Sequence, residues 1–173
     1  RQVEEIDFFE TYAPVRPWLT VHLLLVMAII FNLSTVQVDF SNAFAQATLE
    51  EEVYISLPQG FAHSEGADVV LRLNKSLYGL KQAALCWYEL LKKGLEDIGF
   101  KMKPNNPCLF VHPDVICLVY VDDCLFFAKD KRKIDAAIAK LKRAGFSLEV
   151  EGDVNAFLGI DISRNENGSI VLK

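Results

Sequence analysis

Apolar residues recur at two spacings along this chain, and the spacings separate its helices from its strands. Between Gln82 and Ile98 the positions Leu85, Tyr88, Leu91, Leu95 and Ile98 lie three or four apart, and Gly99 follows. That predicts an amphipathic helix over 82–98 with a glycine stop. Ile134, Ala137, Ile138 and Leu141 repeat the pattern and predict a helix over 131–143, ended by Ala144-Gly145. The run from Trp18 to Leu33 is apolar nearly throughout but carries Thr20, His22 and Asn32. It is short for a bilayer and reads as a largely buried helix over 20–31, with Pro17 suited to its first turn and His22 packed in the core.

The remaining apolar runs are short and rich in β-branched and aromatic residues, as strands are. Residues 34–40 predict a strand ending near Asp39, 53–57 one stopped by Pro58, and 69–73 another, with 60–68 as a loop. Pro104 and Pro107 bracket a loop before Leu109-Phe110-Val111. Val115 to Val119 and Cys124 to Ala128 flank Tyr120-Val121-Asp122-Asp123, which predicts a hairpin with two carboxylates at its tip. Phe146 to Val150 is a further strand, and 157–163 with 169–172 flank the hairpin signal Asn165-Glu166-Asn167-Gly168. Residues 1–16 lack a period and read as an extended arm.

In order, the central elements are strand, helix, strand, strand, helix, strand. This βαββαβ pattern predicts an α+β fold, a ferredoxin-like antiparallel sheet with helices on one face, plus the C-terminal hairpin. In such a sheet the first strand lies beside the hairpin, so Asp39 and Asp122 can meet although they are distant in the chain. Carboxylates gathered at a strand end are costly unless a cation compensates them. A solvated Asp-Asp corner is the plain alternative.

At 173 residues the chain suits one domain with a substantial core. Its net charge of −5 offers no general field for nucleic acid, so such a partner must be held by local lysines or neighbouring segments. Cys86, Cys108, Cys117 and Cys124 lack Cys-x-x-Cys spacing, which argues against structural zinc and for reduced thiols in an intracellular compartment.

Several segments then carry a resemblance. Phe8 to Val15, Gln37-Val38-Asp39-Phe40-Ser41-Asn42-Ala43-Phe44, Leu49 to Ile55, Ser76-Leu77-Tyr78-Gly79-Leu80-Lys81-Gln82-Ala83 with Trp87-Tyr88, Tyr120-Val121-Asp122-Asp123, and Phe157-Leu158-Gly159-Ile160 occur in this order. Together they resemble the reverse transcriptases of copia-type long-terminal-repeat retrotransposons over nearly the whole chain.

The resemblance implies a polymerase palm and RNA-directed (and DNA-directed) DNA synthesis by two-metal transfer to a primer 3′-hydroxyl. It implies Asp39, Asp122 and Asp123 as catalytic residues. With the Phe40 carbonyl they would hold two Mg²⁺ ions, for which Mn²⁺ could substitute. Phe40, Ala43, Phe44, Tyr78, Gly79, Lys81 and Tyr120 would bind the nucleotide, Phe44 rejecting a 2′-hydroxyl. Leu57-Pro58-Gln59-Gly60 copies a retroviral pocket motif but falls in a different segment. The implied partners are an RNA or DNA template with primer, deoxynucleoside triphosphates and the rest of a Pol polyprotein, integrase and ribonuclease H included, with no membrane. A cytoplasmic virus-like particle or the nucleus is the expected location. Residues 1–173 would form a single palm domain, with fingers truncated before Arg1 and 157–173 leading toward a ribonuclease H. Relatives usually carry Pro where Ala84 stands and Arg near His22. Two alternatives stand beside this one: an inactive fragment kept as a structural or interaction remnant, and another palm nucleotidyl enzyme such as a cyclase.

Overall fold

The computed structural model describes residues 2–14, 18–58, 60, 69–152, 156–157, 160–164 and 170–172, with only the backbone described from 156 onward. Its helices are α1 (Trp18–Ile30), α2 (Ala43–Gln46), α3 (Ala83–Asp97) and α4 (Lys131–Arg143). Its strands begin with β1 (Ser34–Asp39), β2 (Tyr54–Ser56), β3 (Val70–Arg72), β4 (Lys101–Lys103), β5 (Asn106–Val111) and β6 (Val115–Tyr120). They continue with β7 (Asp123–Ala128), β8 (Glu149–Gly152), β9 (Ala156–Phe157), β10 (Ile160–Arg164) and β11 (Ile170–Leu172). The chain divides into two compact units, residues 1–13 with 42–90, and residues 14–41 with 91–173.

The second unit is built on a six-stranded sheet in the order β4-β5-β6-β7-β1-β8, each neighbouring pair antiparallel. The fold is therefore mixed α/β with a mainly antiparallel sheet. Alternate residues of a strand point to opposite faces. One face of β6 and β7 presents Leu118, Leu125 and Phe127, which form a buried cluster with Val21, Leu24, Leu25 and Ala28 of α1. The other presents Cys124 and Phe126, and the ring of Phe100 meets Phe126 edge-on at 6.4 Å between centroids. Phe100 and Val115 share a cavity with Ala136 and Ala137 of α4, which puts α4 on this second face.

Helices thus cover both faces of the sheet, not one as the sequence pattern suggested. The long apolar run explains the difference. In α1 nearly every position is apolar, so no period reveals which side is buried. Leu19, Leu23, Val26 and Ile30 are in fact exposed, and so is His22, whose ring lies 6.1 Å from that of Trp18. The expectation of a largely buried helix with a core histidine is corrected accordingly. Among the described residues no helix is long and apolar enough to cross a membrane.

Three helices end in the same way. Asn32, Gly99 and Gly145 each take a positive φ (49°, 101° and 97°). The N–H of the following residue then reaches back to the helix: Leu33 to the Ala28 carbonyl, Phe100 to Leu95, Phe146 to Leu141. This termination needs glycine or asparagine at the left-handed position and commonly places an apolar residue after it. Here it delivers Phe100 and Phe146 to the core. The Phe146 ring packs edge-on against Phe40, with centroids 5.8 Å apart, directly behind Asp39.

Other boundaries shift. Pro107 lies inside β5, next to the register irregularity in its pairing with β4, where a missing N–H is tolerated. The strand expected at 146–150 is β8, at 149–152, because Phe146 serves as the anchor that ends α4. β10 pairs with β11, although the Asn165–Gly168 turn lies outside the described residues, as does most of the 60–68 loop.

Candidate active site

β6 and β7 pair without interruption from Val115↔Ala128 to Tyr120↔Asp123, leaving Val121 and Asp122 as the turn. Val121 adopts φ +52°, an uncommon conformation for a β-branched residue. β7 pairs on its other side with β1 from Ser34↔Ala128 to Asp39↔Asp123. Directly opposed residues of antiparallel strands share a face, so the last residue of β1 and the first of β7 present their carboxylates together. The N–H of Phe40 donates to the Asp122 carbonyl at 2.9 Å and ties the turn to the end of β1. A largely buried apolar strand on each side of the turn leaves the register little freedom to slip.

This placement is electrostatically unfavourable by itself. The Asp123 carboxyl is pushed up to about 6 by burial first, then by the charges of Asp122, Asp39 and Glu151. Gln37 lies on the same face, two residues before Asp39. Its side chain donates a hydrogen bond to Asp123 and draws that value partly back down. Asp39 is raised as well, by burial and then by Asp122 and Glu149.

Glu149 and Glu151 escaped the sequence reading. Glu149 stands opposite Asp39 on the side of β1 away from Asp123. The alternation Glu149-Val150-Glu151 was the available signal, hidden inside a strand whose register was expected earlier. Among the described residues, no three His, Cys, Asp or Glu side chains already converge on one point as a metal cage. The donor chemistry nevertheless suits a hard cation: the oxygens of Asp39, Asp122 and Asp123 are carboxylates, and their mutual repulsion is what such an ion relieves.

The other predicted residues sort by unit. Phe40 and Tyr120 belong with the acids. The Phe40 ring is buried, and half-buried Tyr120 packs against the cluster beneath α1. Ala43, Phe44, Tyr78, Gly79 and Lys81 belong to the first unit. Asn42 takes φ +52° and starts the single turn of α2, where Ala43 is buried and Phe44 half-buried. The Phe44 and Tyr78 rings lie 4.4 Å apart at 41°, so residues distant in sequence form one aromatic pair. Gly79 turns the chain with φ +96°. Exposed Lys81 donates its backbone N–H to the Gln2 side chain at 2.8 Å.

Comparison with known proteins agrees with these motifs. The family model described as reverse transcriptase (RNA-dependent DNA polymerase) matches residues 1–173. The chain is 36% identical over 167 residues to the retrovirus-related Pol polyprotein from transposon RE2 of Arabidopsis thaliana. It is 34% identical over 171 residues to that from transposon TNT 1-94 of Nicotiana tabacum. Each alignment covers 94% of this chain but only 11% and 13% of the relative. A putative Ty5-1 transposon protein of Saccharomyces cerevisiae is 33% identical over 138 residues, 78% of this chain and 44% of its own length. The chain belongs to the reverse transcriptase family, among the Pol polyproteins of copia-type transposons.

Proposed function

We propose that this chain is the polymerase palm of a Pol polyprotein and performs template-directed DNA synthesis, RNA-directed and DNA-directed. The observation that carries the proposal is the facing of Asp39 and Asp123 across β1 and β7, with Asp122 tied by its backbone to Phe40. The strand order β6-β7-β1-β8, with α3 and α4 as the helices between strands, supports the ferredoxin-like βαββαβ reading.

Asp39, Asp122, Asp123 and the Phe40 carbonyl would hold divalent ions, Mg²⁺ or Mn²⁺. When bound, these supply Lewis acidity to the primer hydroxyl and the phosphates. The protein's own contribution is positioning. The paired strands fix the carboxylates, Gln37 orients Asp123, and the edge-on contact of Phe146 with Phe40 backs the end of β1. Phe44, paired with Tyr78, would exclude a 2′-hydroxyl from the sugar site. Ala43, Gly79, Lys81 and Tyr120 would complete the nucleotide contacts. Template, primer, deoxynucleotides and the remaining Pol segments, integrase and ribonuclease H, are the proposed partners.

Primer extension by the full-length polypeptide tests this. The wild type should extend a primer on RNA and DNA templates only with a divalent ion present, and Asp122→Asn should lose the activity. Undiminished extension by Asp122→Asn overturns the assignment, and a well-folded wild type that extends nothing favours the inactive remnant instead. In the same assay Phe44→Ala should begin to incorporate ribonucleotides; unchanged sugar discrimination removes that role from Phe44.

A further inference from the structure

Gln82 is a polar side chain with almost no surface, 1% exposed just before α3. Burying an amide is unfavourable unless both its ends are bonded, and here both are. Its Oε1 accepts from Gln2 Nε2 at 2.9 Å, and its Nε2 donates to the Asp7 carbonyl at 2.8 Å. Gln2 Oε1 in turn accepts the Lys81 N–H. Between these two fastenings the arm is folded on itself: the Val3 N–H donates to the Asp7 carboxylate at 2.6 Å, and the Asp7 N–H to the Val3 carbonyl at 2.8 Å. Apolar burial holds the arm only in part: Ile6 and Phe9 are 71% and 66% exposed, and Phe8 is half-buried. The amide network adds the directed fastenings.

The fastened arm has a use. Gln2 and Asp7, the β2 residues Tyr54 and Ser56, and Gly79 and Lys81 line one cleft of about 500 Å³. A lysine, a hydroxyl and a glycine backbone without side chain suit a phosphate-bearing ligand. Accepting deoxynucleotides as the ligands of the Gly79–Lys81 segment, we propose that Gln82 is a positioning residue. By gripping Gln2 and Asp7, it makes the N-terminal arm a fixed wall of the nucleotide cleft. Glutamine is required for a stated reason: glutamate has no donor for Asp7, leucine has neither group, and asparagine is one methylene too short.

The test uses the full-length polypeptide as wild type, Gln82→Glu and Gln2→Ala, the last leaving α3 and the core untouched. Binding of a fluorescent deoxynucleoside triphosphate with Mg²⁺ is titrated, primer-extension KM and kcat are measured, and melting is recorded. Both variants should weaken nucleotide binding and raise KM for the nucleotide by roughly fivefold or more. Their kcat should stay within about twofold, and template-primer affinity should not change. Wild-type nucleotide affinity in both variants overturns the inference, as does a loss confined to melting temperature or to kcat. A wild type that binds nucleotide yet makes no DNA sinks the polymerase reading alone, because the binding titration still decides what Gln82 does.

Discussion

Asp123 shows how a single residue can be legible in kind and illegible in degree. Adjacent carboxylates between two apolar runs are visible in the chain. What they cost is not, because the cost comes first from burial, then from Asp122, from Asp39 on β1 and from Glu151 on β8. It is the folded sheet that buries Asp123 and sets Asp39 beside it. The consequence for pH follows from the direction of the shift. A carboxyl raised from 3.8 to about 6 favours the folded state when protonated. That stability is fully present below the unfolded value and is lost as pH rises through about 6. Without divalent ions, the melting temperature of the wild type should therefore fall between pH 4 and pH 7 more than that of Asp123→Asn. Parallel curves for the two proteins would show that Asp123 carries no such burden. Glu149 was missed for the same physical reason: its role depends on which residue of β1 it opposes, and composition cannot say.

At the scale of elements, periodicity was a good guide wherever polar residues marked the exposed side. The expected helices over 82–98 and 131–143 are α3 and α4, within a residue at each end. It failed for α1, whose uniform apolarity conceals its buried face, and for β8, where Phe146 belongs to a helix terminus. That terminus offers a test of packing. Gly94 of α3 lies against the Phe146 ring so closely that an added Cβ would overlap it. Gly94→Ala gains up to about 1 kcal/mol of helix propensity but forces the ring aside, at about 1–3 kcal/mol. Denaturant unfolding should show a net loss of about 1 kcal/mol, and a more stable variant would mean that the ring moves freely. Since Phe146 backs Phe40, the same substitution should disturb the end of β1.

At the scale of the whole molecule, an ordered set of motifs led to a family that the comparisons then showed over the full chain, and the fold supplies a reason for their spacing. Gln37 to Phe40 and Tyr120 to Asp123 are distant in sequence because a hairpin must return beside β1 before their carboxylates can face each other. The chain spans 11% of its Arabidopsis relative, so its chemistry is best tested within the longer polypeptide. The most direct measurement is paramagnetic-resonance titration of Mn²⁺ against that polypeptide with a deoxynucleoside triphosphate bound. Wild type should bind the ion. Asp39→Asn and Asp122→Asn should each weaken binding by more than about tenfold, since even partners outside the ligand shell can matter that much. Equal affinity in all three proteins would mean that the acidic end of the sheet is not a metal site, and the polymerase account would lose its chemistry.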